Sequence, residues 1–167
     1  IGAFAVVLYT DGGMAYDTMN HNLWITGQGS TWAQANAITL KHLESYDFTE
    51  NYQPIEFDLS YNLYRIQRAS FMTYHDGALF VGFFTKDNAS IIEKYLINAD
   101  GTLYEKSDMN LKRTVGVIDP VACAVSMQVI SGKVQGMAFY NNKILLTISW
   151  GIMPSEVQIF NYSRYGI

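Results

Sequence analysis

The chain has 167 residues, the size of one domain or a large part of one. Hydrophobic residues make up 49% and charged ones only 16%, well below the usual charged share of about 25%, which excludes a disordered chain, a coiled coil and a long charged helix. Lys+Arg is 11 and Asp+Glu is 15, so the net charge is -4 and no basic surplus exists to neutralise a phosphate backbone; nucleic acid is not expected as a partner.

The apolar run Ile1–Leu8 meets Tyr9-Thr10-Asp11 and is far shorter than the ~20 residues a membrane-spanning helix needs. No basic region precedes it, and no membrane span is expected anywhere in the chain. The first residue is Ile1 rather than Met, which leads us to expect a removed leader or a piece of a longer chain. Aromatics reach 14%, with Tyr 12 and Phe 9, and such residues suit a pleated, half-buried surface. The single cysteine, Cys123, lies in Val121-Ala122-Cys123-Ala124-Val125 and reads as a small buried hydrophobe.

Three segments then resemble one another. The first is Gly13-Met14-Ala15-Tyr16-Asp17, a turn Thr18–His21, and Asn22-Leu23-Trp24-Ile25-Thr26-Gly27. The second is Ser70–Tyr74, a turn His75-Asp76-Gly77, and Ala78–Gly82. The third is Gly136–Tyr140, a turn Asn141–Lys143, and Ile144–Ile148. Each is an apolar run, an Asn/Asp/Gly turn and a second apolar run, the pattern of a β-hairpin. Leu23, Leu79 and Leu145 lie 56 and 66 residues apart. A third strand follows each hairpin, at Ala37–Leu43, Ser90–Ile97 and Ser155–Phe160. The turn Asp100-Gly101 predicts a fourth strand at Thr102-Leu103-Tyr104, and Tyr52–Leu59 offers one in the first unit. Trp32–Asn36 allows one helical turn, while Val121–Val129 reads as a buried strand or a short helix. Insertions at Glu50–Tyr64 and Ser107–Val134 lengthen the units, which run roughly over 9–64, 65–130 and 131–167 of a single domain spanning 1–167.

Four antiparallel strands per unit predict an all-β, β-propeller-like chain of about three four-stranded blades. Gly13–Asp17 with Asn22–Ile25, and Val134–Phe139 with Ile144–Trp150, resemble the strand pairs that open blades in YVTN/NHL-like repeat proteins. The resemblance implies an architecture and no particular activity. Because closed propellers have about 4–8 blades, three blades imply the remainder of a longer chain, a homodimer that closes the ring, or a β-trefoil instead.

Motifs for chemistry are sparse. His21, His42 and His75 form no metal-ligand pattern, and His21 and His75 read as solvated turn residues; no metal and no cofactor is expected. Gly27-Gln28-Gly29-Ser30-Thr31 lacks the lysine of a phosphate loop. No nucleophile motif is present, and no catalytic residue is assigned. Glu44, Asp47, Glu50, Glu56 and Asp58 cluster, and strand alternation would set Glu56 and Asp58 on one solvated face. The ends of the second strands carry Trp24 and Gln28 in unit one, Phe80–Phe84 in unit two, and Ser149 and Trp150 in unit three. Gln135 begins the inner strand where the other units carry Gly12 and Ala69. Aromatics beside amides and hydroxyls can stack on a flat ligand and bond its edge. Trp24, Gln28, Gln135, Ser149 and Trp150 are therefore the expected ligand-binding residues, for a carbohydrate or other small ligand. The expected function is a non-catalytic ligand- or protein-binding module of an exported or cell-envelope protein. The alternatives are a propeller enzyme (a lactonase-like hydrolase or a lyase, with its site at the channel mouth) and a structural assembly subunit.

Overall fold

Short apolar runs separated by tight turns build three successive sheets in a computed structural model that describes residues 12–47, 54–105, 120–152 and 154–163. The first sheet contains β1 (Met14–Asp17), β2 (Asn22–Gln28), β3 (Ala33–Thr39) and β4 (Leu59–Leu63), antiparallel in chain order. The second contains β5 (Phe71–His75), β6 (Ala78–Gly82) and β7 (Ala89–Leu96). Next β8 (Val121–Ala122) returns to the first sheet and runs parallel to β4, while β9 (Ser126–Ser131) completes the second sheet beside β7. The third sheet contains β10 (Val134–Tyr140), β11 (Lys143–Ile148) and β12 (Glu156–Asn161). The described chain is all-β, with one short helix, α1 (Leu40–Ser45).

Turn chemistry fixes the hairpins. His75 pairs with Ala78 across Asp76 and Gly77, both at positive φ, the two-residue turn whose twist matches that of its strands. Asn141 takes a positive φ in the equivalent turn between Tyr140 and Lys143. Between β1 and β2 the buried Asp17 carboxylate organises the turn, accepting from the Met19 and Asn20 amides at 2.9 and 3.2 Å and from Asn20 Nδ2 at 2.8 Å.

Several expectations need correction. Residues 33–36 are strand, so no helical turn forms at Trp32–Asn36. The helix comes later, where Ala37–Leu43 was expected to be strand throughout. Thr39 ends β3 and caps α1, its Oγ1 accepting from the His42 amide at 3.1 Å. The fourth strand of the first sheet is Leu59–Leu63, so Glu56 and Asp58 precede it rather than alternate along it. Thr102-Leu103-Tyr104 does not edge the second sheet as a strand; Leu103 makes one bridge to Ile97, and β9 takes the edge. Val121–Val129 is no helix, but the buried strand expected there holds only in part: Val121–Ala122 and residues 126–129 are strand in two different sheets, residues 123–125 interrupt them, and Met127 and Val129 are exposed. Strand counts are five, four and three rather than four each among the described residues.

Side-chain alternation packs the sheets. Trp24, Ala35, Ala37, Tyr61 and Leu63 of the first sheet meet Met72, Leu79, Val81 and Tyr95 of the second. Ala78, Phe80, Ile92 and Ile130 on the opposite face meet Val134, Ile144 and Leu146 of the third. Every residue of β6 is therefore buried, which explains its unbroken apolar sequence. Ile25, Ile38 and Ile55, with Leu43 and Tyr46, form a third cluster under α1 on the other side of the first sheet. β5, at the edge of the second sheet, touches both β1 and β10, which brings the starts of all three strands to one end of the molecule.

Candidate functional site

The loops at that end enclose an open cavity of about 650 Å3. Its lining includes Arg68 and Ser70 before and at the start of β5, Phe84 after β6, Gln135 in β10, and Trp150 and Gly151 after β11; Gly12 before β1 closes it. Phe84 and Trp150 form its aromatic wall, with ring centroids 5.7 Å apart and planes tilted by 34°. Lys86 holds its ammonium 4.9 Å from the centre of the Trp150 ring. Hydrogen bonds fix the frame. Gln135 Nε2 donates to the Ser149 carbonyl at 3.0 Å, and the Phe84 amide donates to Ser70 Oγ at 3.0 Å. No acid lines the cavity among the described residues, and Asp87, next to Lys86, accepts from the Thr85 hydroxyl at 2.9 Å.

Two of the five expected ligand-binding residues, Gln135 and Trp150, line this cavity. Ser149 stands behind them through its carbonyl. Gln28 is exposed at the end of β2 and outside the lining; its Nε2 donates to the carbonyls of Gly29 and Gln67 at 3.2 and 3.1 Å. Trp24 is fully buried in the core between the first two sheets, so it faces no ligand. It lies mid-strand, and alternation turns it inward. Arg68, Ser70, Phe84 and Lys86 were missed. Phe84 was within reach, because Phe80–Phe84 already matched the segment ending in Trp150; Arg68 and Lys86 sit in loops whose direction no periodicity reveals.

Other titratable groups lie elsewhere. Buried Glu93 accepts from the Tyr95 hydroxyl at 2.5 Å. Burial pushes its carboxyl above the ordinary range, against the pull of Tyr95 and Arg65. Burial and the adjacent Glu93 push the Tyr95 hydroxyl up in turn. His42 Nδ1 lies 2.9 Å from an Asp58 carboxylate oxygen on the half-exposed surface. Burial pushes Asp58 up, but the Thr39 amide and hydroxyl together with His42 outweigh it and hold the carboxyl low. His75 is not a solvated turn residue. It ends β5 stacked on Phe139, with centroids 4.0 Å apart, and burial holds its pKa below the usual value. His21 is exposed in its turn, its Nδ1 2.8 Å from the Tyr16 hydroxyl. Cys123 is a half-buried free thiol. Among the described residues no cluster of three His, Cys, Asp or Glu is placed to hold a metal, and no helix is long and apolar enough to cross a membrane. Glu50 lies outside the described residues.

No family model matches the chain, and no curated protein matches it significantly. Among solved structures, the chain is similar to a S. cerevisiae complex of Dbp5 bound to Nup159, Gle1, IP6 and ADP. Identity is 12% and the TM-score 0.35, over 96% of this chain and 46% of that one. A likeness this distant assigns neither fold nor activity.

Proposed function

We propose that the chain is a binding module of β-propeller type, and that its ligand sits in the cavity between Phe84, Trp150, Gln135 and Arg68. Strands β1–β4, β5–β7 and β10–β12 each run as an antiparallel meander, to which β8 and β9 add crossing edge strands, and β5 lies between β1 and β10 as inner strands of neighbouring blades do. A trefoil would bring each unit against both others, whereas no core cluster among the described residues joins the first sheet to the third.

One observation carries the binding reading: an open cavity with an aromatic wall beside an amide whose own position is fixed by a backbone hydrogen bond. An aromatic pair of this kind suits the apolar face of a sugar ring, and Gln135 and Ser70 suit its hydroxyl edge. The test is a panel of mono- and oligosaccharides titrated against the parent and the variant by calorimetry, with the Trp150 indole N–H of the parent followed in parallel by NMR. We expect at least one saccharide to shift that signal and Trp150→Ala to abolish its binding without lowering Tm. Binding that survives Trp150→Ala, or no binding across the panel, overturns the reading.

A further inference from the structure

We infer that the ligand of this cavity is an acidic saccharide, a sugar carrying a carboxylate, an inference that rests on the binding reading above. The chain as a whole is acidic, at -4, yet among the described residues the charged side chain in the cavity lining is a cation, Arg68, and Lys86 stands on the Trp150 ring. Arg68 is exposed, and no carboxylate of the described residues pairs with it. A guanidinium offers paired N–H donors whose geometry matches a carboxylate. Lys86 adds a second positive charge that raises the local potential without entering the lining. The other lining groups do not fit a bare inorganic anion. Phe84 and Trp150 present flat apolar surface, which gains nothing from a small hydrated ion and much from the carbon face of a pyranose. Gln135 bonds the Ser149 carbonyl through Nε2, which leaves its Oε1 as an acceptor for a sugar hydroxyl. The three features together describe a hexuronic acid: a flat face, hydroxyls on the edge and one carboxylate.

The probes are glucuronic acid, glucose and inorganic phosphate, titrated separately against the whole chain with the Trp150 indole signal as readout. Glucuronic acid should bind about tenfold tighter than glucose, the increment of one charge-assisted hydrogen-bonded pair. Arg68→Gln should weaken glucuronic acid binding about tenfold more than it weakens glucose binding, and Arg68→Lys should restore only part of that difference. The advantage should also shrink as salt rises from about 0.02 to 0.3 M, since both cations are exposed to screening. Equal binding of glucuronic acid and glucose, unaffected by Arg68→Gln, overturns the inference while the saccharide-binding reading stands. Phosphate binding as tightly as glucuronic acid overturns it in favour of a simple anion site. Failure of both sugars to move the Trp150 signal overturns the inference, and failure of the whole saccharide panel removes the binding reading itself.

Discussion

Glu93 shows how one buried side chain makes this fold sensitive to pH. Its carboxyl is raised above the ordinary value of 4.5 because burial disfavours the charged form. A group whose pKa is raised on folding contributes stability fully below the unfolded pKa and loses it as pH rises through the folded one. The protonated acid is thus the form the fold prefers. Glu93→Gln keeps an acceptor oxygen for the Tyr95 hydroxyl and removes the charge. We expect the variant to melt higher than the parent at about pH 8, with the gap closing as pH falls below about 4.5. Thermal melts across that range decide it, and a gap independent of pH contradicts the assignment. At the β1–β2 turn the buried Asp17 side chain accepts three hydrogen bonds within its own turn. Asp17→Ala leaves two backbone amides unpaired at the β1–β2 turn. The expected loss is about 1.5–3 kcal/mol by urea denaturation, and Asp17→Asn should lose less because one acceptor oxygen remains.

The connection between β9 and β10 depends on close contact between backbones. Gly132 donates its amide to the Asn88 carbonyl at 3.0 Å, and a Cβ on Gly132 would fall 1.7 Å from the carbonyl oxygen of Asp87. Backbone cannot yield as a flexible side chain can. Gly132→Ala should therefore cost about 2–4 kcal/mol, visible as a lowered urea midpoint at unchanged slope. A neutral substitution would show that the loop at residues 85–88 moves away freely. This packing was invisible in the sequence, where Gly132 fell within the insertion Ser107–Val134 with no role assigned. The hairpins of all three units were legible, because apolar runs bounded by Asp76-Gly77 and Asn141-Asn142 admit little else. The outer strands were not. β8 and β9 leave one continuous apolar segment for different sheets, and that choice is made by long-range pairing with β4 and β7. The helix was misjudged because Thr39 both ends a strand and caps α1, so local propensity changes within one residue. In the site, Gln135 and Trp150 were legible from their place at strand ends. Trp24 was misplaced because its distance from the end of β2 was not weighed against alternation.

Across the whole molecule, burial falls off from the middle sheet toward the third. β6 is central in its sheet and covered on both faces, by the core shared with the first sheet and by the core shared with the third. β12 is an edge strand of the third sheet among the described residues, and Val157 and Ile159 are 55% and 63% exposed. Tyr140, on the same sheet, is 69% exposed, so one face of that sheet is covered by no described residue. Local opening costs least where few apolar contacts break and the backbone hydrogen bonds are close to solvent. Native-state hydrogen exchange should therefore rank the strands, with the amides of β6 exchanging slowest and those of β12 fastest among the paired strands. Core truncation should follow the same order. Leu79→Ala removes a fully buried side chain from β6 and should cost about 2–5 kcal/mol. Ile159→Ala removes a side chain that is already mostly solvated, and should stay within about 0.5 kcal/mol. Matched exchange in β6 and β12 would mean that the third sheet opens only with the whole molecule. In that case the cavity between β5 and β10 would be as rigid as the core. Faster exchange in the third sheet would instead leave Gln135 and Trp150 on a wall that can shift against Arg68 without unfolding the rest.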